Sequence, residues 1–89
     1  MARARARAAA DAAALAAAQE LALPGGRTPA ELAGDYAARN GATLVSCGCA
    51  AGTLAAAVEV EVAIGPMFLA EDRLTVRARA RAVIDVPVA

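Results

Sequence analysis

The spacing of apolar and polar positions divides the chain into a helical first half and an extended second half. No Pro or Gly interrupts residues 2–23, and alanine, the strongest helix former, fills most of them, which predicts a first helix over residues 1–23. Arg3, Arg7 and Asp11 share one stripe of that helix, Leu15 and Leu23 are its main apolar anchors, and Leu21 lies to one side. Its first two turns hold no large apolar residue to dock on a core. The expectation is therefore a helix that packs through residues 15–23 and frays or projects at its start. Pro24-Gly25-Gly26 ends it. Thr28-Pro29-Ala30-Glu31 then spells a capping box, with Thr28 as the cap, Pro29 in the first helical position and Glu31 reaching back to the cap amide. A second helix follows over residues 29–40, with Leu32, Ala33, Tyr36 and Ala37 as its apolar stripe and Asn40-Gly41 closing it.

Beyond Gly41 the period changes from 3.6 to 2. Residues 42–47, with β-branched Thr43 and Val45, read as a short strand, and residues 48–53 as a turn. Leu54, Ala56, Val58, Val60, Val62 and Ile64 then alternate with Ala55, Ala57, Glu59, Glu61 and Ala63, a long strand with one buried face, stopped by Gly65-Pro66. Residues 73–84 make a third strand, with Leu74, Val76, Ala78, Ala80, Ala82 and Ile84 on one face and Arg73, Thr75, Arg77, Arg79 and Arg81 on the other. Pairing the last two strands antiparallel sets Glu61 against Arg77 and Glu59 against Arg79 on the outer face. The same register sets Val62 against Val76 and Ile64 against Leu74 on the inner one, so charge and apolar pattern select it together. The fold this predicts is α+β: two helices covering one face of a three-stranded antiparallel meander that spans residues 42–84.

Composition narrows the chemistry. With 89 residues there is room for a single domain, residues 1–89, with a small core. Of the residues 60% are hydrophobic, but about half of these are alanine and aromatics are only 2%, so the large aliphatic positions are scarce. Histidine is absent, which removes His-based acid–base and nucleophile arrangements and the commonest zinc and iron sites. Nine arginines balance nine acidic residues, an even balance that argues against a general nucleic-acid binder. Arginines or acids interrupt every apolar stretch before it reaches the length of a membrane span.

Three features remain as candidates for function. Arg3-Arg5-Arg7 and Arg77-Arg79-Arg81 read either as a phosphate-binding surface or as solvated positions, the strand arginines paired with Glu59 and Glu61. Cys47 and Cys49 flank Gly48. On a flat strand their Cα atoms lie roughly 6.5–7 Å apart, at the edge of disulfide geometry, so a bridge requires the chain to curl at Gly48. A redox pair, a structural turn disulfide and two unreactive thiols are all open readings. Met67-Phe68-Leu69, between two strands, is either a docking patch for a partner or membrane or a plug over the end of the core.

The run from Arg5 to Ala18, the segment Ala37-Ala38-Arg39-Asn40-Gly41-Ala42-Thr43-Leu44-Val45-Ser46-Cys47, the strand Val58-Glu59-Val60-Glu61-Val62 and the Arg-Ala alternation at 77–82 together resemble the TadE-like minor pilins, or pseudopilins, of actinobacterial Tad (Flp-type) pili. The resemblance covers most of the chain from Arg5 to Ile84. It implies a structural or assembly component of a pilus or related secretion system rather than an enzyme. No catalytic residue and no cofactor come with it. It implies other pilin subunits or pilus-assembly proteins as partners, and a cell-surface, extracytoplasmic location with a membrane anchor. Members of the family carry a hydrophobic helix that the alanine-rich segment continues. Here that span is missing and Met1 stands directly before the arginines, as in a soluble domain lacking its membrane helix. The family often has a further cysteine in or before the second helix to pair with the one at Cys47; this chain has Cys49 instead. The other function class is a small anion- or nucleic-acid-binding domain that uses the arginine-rich strand.

Overall fold

The computed structural model describes residues 2–50, 52–64 and 74–84. They form helices α1 (Ala2–Ala22) and α2 (Pro29–Arg39), then strands β1 (Thr43–Gly48), β2 (Ala55–Ile64) and β3 (Leu74–Val83). The strands make one antiparallel sheet in the order β1-β2-β3. Both helices lie on the same face of it, α1 over β2 and β3, α2 against α1 and β1. This is the α+β meander that the pattern predicts.

Local chemistry sets the helix ends. The Leu23 amide closes the last turn of α1 on the Gln19 carbonyl at 2.8 Å, and the Gly25 amide then donates to the Glu20 carboxylate. At the start of α2 the Glu31 amide donates to Thr28 Oγ1 at 3.1 Å and the Thr28 amide donates to Glu31 Oε1 at 2.9 Å. The capping box is thus complete, with Pro29 where its missing N–H is harmless. Helix α2 stops at Arg39, one residue short of the expected end, because Asn40 leaves helical geometry as the cap. The Gly41 amide then donates to the Ala38 carbonyl and the Ala42 amide to the Ala37 carbonyl, the paired bonds of a Schellman turn. That turn needs a left-handed residue, supplied by Gly41 at φ +77°.

The packing of α1 corrects the sequence expectation. Leu15 and Leu23, expected to anchor it, are 47% and 80% exposed. The contacts come instead from alanines. Ala6, Ala9, Ala10, Ala13, Ala14, Ala17 and Ala18 are all fully buried. The first two turns are therefore docked, not projecting. The physical reason is distance: an alanine seam lets the helix lie close to the sheet, where the facing side chains are Ala56, Val58, Val60 and Val62 of β2 and the smaller β3 positions Ala78, Ala80 and Ala82. A leucine in that seam would hold the helix off. Leu21, which the pattern set to one side, is the α1 leucine that packs against the core. In α2 the buried positions are Ala33 and Ala37, while Leu32 is half-buried and Tyr36 lies at the surface.

Strand β1 runs one residue later than expected and carries a bulge at Val45. Leu44 pairs with Val60, but Ser46 pairs with Glu59. The extra residue shifts the alternation, so that Leu44 and Cys47, three apart, both pack against the core while Val45 turns outward. Between β2 and β3 every pair matches the predicted register: Glu61 with Arg77, Glu59 with Arg79, Val62 with Val76, and Ile64 with Leu74. The Met67-Phe68-Leu69 patch lies outside the described residues.

Candidate interaction surfaces

Three surfaces carry the side chains singled out by the sequence. The first is on the helices. The side of α1 turned toward α2 carries Ala16, Gln19, Glu20 and Leu23, which meet Leu32 and Tyr36 of α2 along an open groove of about 290 Å³. Leu15 and Leu23 stand exposed on α1, and Tyr36, at 36% exposure, forms the α2 side. The Arg39 guanidinium sits 4.8 Å from the centroid of the Tyr36 ring, a cation–π contact that fixes the ring at the surface. Nearby, Arg27 and Asp35 form a close ion pair at 2.7 Å, and that hydrogen bond raises the arginine's pKa further. Sequence reasoning missed this groove because it assigned Leu23 to the core.

The second surface is the outer face of the sheet. Arg77 lies 3.3 Å from Glu61 and 3.7 Å from Glu59, and Arg79 lies 3.7 Å from Glu59. The two carboxylates are largely covered and the arginines largely open, with Arg79 at 82% side-chain exposure. Arg81 stands opposite Ala57, so the carboxylate column of β2 ends before the arginine column of β3 does. The two arginine runs, read separately along the sequence, meet here: Arg3 and Arg7 of α1 and Thr75, Arg77 and Arg79 of β3 line one groove along the outer edge of the sheet. Arg7 also reaches Asp11, one helical turn on, at 3.9 Å.

The third is the Cys-Gly-Cys tripeptide. Cys47 and Cys49 are joined by a disulfide with a Cα separation of 5.4 Å, inside the flat-strand value because the chain curls as β1 ends at Gly48. Both cysteines are half-buried against the core. The turn that follows is held by Thr53, whose hydroxyl donates to the Ala50 carbonyl at 2.7 Å, and by Gly52 at φ +87°. The sulfur pair closes the top of β1 over the end of the apolar layer.

Among the described residues no helix is long and apolar enough to cross a membrane. Comparison of the chain with protein families, curated proteins and solved structures finds no match.

Proposed function

We propose that this chain is a structural subunit, the extracytoplasmic domain of a TadE-like minor pilin or pseudopilin, that joins a Tad-type pilus or related secretion assembly through its α1–α2 face. One observation supports the reading above others. Large apolar side chains are scarce in this chain, yet Leu23 of α1 and Tyr36 of α2 stand at the surface along one groove with Leu32, and Leu15 is exposed elsewhere on α1, while alanine fills most of the core. Exposed apolar residues clustered on one face mark a surface that another protein covers. A long first helix laid along a three-stranded antiparallel meander, with its outer side open, suits a subunit that packs helix against helix. The resemblance in the sequence supplies the family name. The membrane anchor, in this reading, is a hydrophobic segment ahead of α1.

The anion-binding alternative loses ground on the outer sheet face, where Glu59 and Glu61 already compensate Arg77 and Arg79. Photocrosslinking in cells tests the proposal. A benzophenone amino acid at Leu15 or Leu23 should give crosslinks to another pilin-type protein in the envelope or surface fraction, and the same group at Thr75 should give none. Recovery of the chain only from the cytosol, or crosslinks only to nucleic acid, would overturn it.

A further inference from the structure

Among the described residues β3 is an outer strand of the sheet with no strand paired to its far edge, and that edge is unlike that of β1. It runs ten residues, Leu74–Val83, without the bulge that interrupts β1 and without proline. Every second backbone N–H and C=O along it faces away from β2, a row of donors and acceptors ready for another strand. Its outer-face side chains, Arg77, Arg79 and Arg81, form a column of guanidinium groups with carboxylates on one side only. Glu61 and Glu59 serve the first two across β2, and Arg81 faces Ala57. On the free side, the groove that follows the edge is lined by Arg3 and Arg7 from α1 together with Thr75, Val76, Arg77, Ala78 and Arg79. Among the described residues no carboxylate lines it, and neither Arg3 nor Arg81 makes an ion pair.

We infer that the β3 edge accepts an extended acidic segment of a partner protein as a fourth strand. Complementarity fixes its chemistry. Carboxylates at alternate positions complete the ion pairs of Arg77, Arg79 and Arg81 on the outer face, and small apolar residues between them continue the layer of Val76, Ala78 and Ala80 beneath α1. Arg3 and Arg7 lie over the far side of the added strand and attract its charge. The sheet already contains the pattern this requires: Val58-Glu59-Val60-Glu61-Val62 of β2 pairs with the same three-arginine strand from the other side. Main-chain hydrogen bonds supply affinity and the alternating side chains supply selectivity, as in other strand-addition complexes. The surface is distinct from the α1–α2 groove, so it stands whether or not the chain is a pilin.

The test uses the intact chain and a labelled peptide reproducing residues 56–63, titrated by fluorescence anisotropy at low and physiological salt. Saturable binding is expected, with amide shifts in the nuclear magnetic resonance spectrum confined to β3 and the start of α1. The double variant Arg3→Gln/Arg81→Gln, which removes no ion pair found within the described fold, should weaken binding about tenfold or more, as should replacing both peptide glutamates by glutamine. A peptide N-methylated at alternate residues on its pairing edge should not bind. Absence of saturable binding, equal binding by the N-methylated peptide, or equal binding by an oligonucleotide of the same charge would each overturn the inference. The last of these would mark a general anion surface instead.

Discussion

The stem of Arg5 lies across Gly41: a β-carbon built on Gly41 would stand 3.2 Å from Arg5 Cδ. The second turn of α1 is thereby held against the corner between α2 and β1, although that turn contains no large apolar residue. The methylenes of an arginine supply the contact while its charged head stays in solvent.

Gly41 is constrained twice, by its left-handed φ of +77° and by Arg5 above it. Gly41→Ala should destabilise the domain by about 1–2 kcal/mol, since an L-residue is strained there and the added methyl crowds Arg5. Chemical denaturation of the two proteins measures it. A loss that disappears in an Arg5→Ala background would assign it to crowding rather than to the backbone.

Opposite effects are expected from two neighbouring positions of α1. Ala13 is fully buried in the seam against the sheet, so Ala13→Leu should cost about 1–3 kcal/mol by overpacking. Leu15 is 47% exposed, and Leu15→Ala, which also improves helix propensity, should leave stability within about 0.5–1 kcal/mol of the parent. Thermal or denaturant melts decide between this and a leucine-anchored helix, for which the order would reverse.

The capping box adds a pH dependence. Its bonds to the Thr28 backbone, and secondly to the Thr28 side chain, hold the Glu31 carboxyl below the usual carboxylate range. A carboxyl whose pKa is lower in the folded chain stabilises it fully above its unfolded pKa of about 4.3, and that contribution is lost as pH falls through the folded value. Glu31→Gln should therefore be less stable than the parent at neutral pH, with the difference shrinking toward zero in acid. Thr28→Ala should cost roughly 0.5–2 kcal/mol at neutral pH. Denaturation midpoints measured across the acid range check both.

The helix ends and the β2–β3 register are legible in the sequence because each is written in local or pairwise chemistry. Thr28 and Glu31 need only each other, Gly41 needs only its own backbone, and the Glu59–Arg79 and Glu61–Arg77 pairs coincide with the one register that buries Val62 against Val76. The buried side of α1 is not legible. When nearly every position is alanine, helical periodicity carries almost no direction, and the few leucines point the reading to the wrong face. Only the close approach of helix to sheet, set by the small residues on both, decides that Ala6, Ala9 and Ala13 go inside and Leu15 stays out. The bulge at Val45 and the curl that brings Cys47 to Cys49 depend on how β1 must follow β2. The meeting of Arg3 and Arg7 with Arg77 and Arg79 joins residues some seventy positions apart, and a linear pattern holds no signal for such a meeting until α1 is laid along the edge of the sheet.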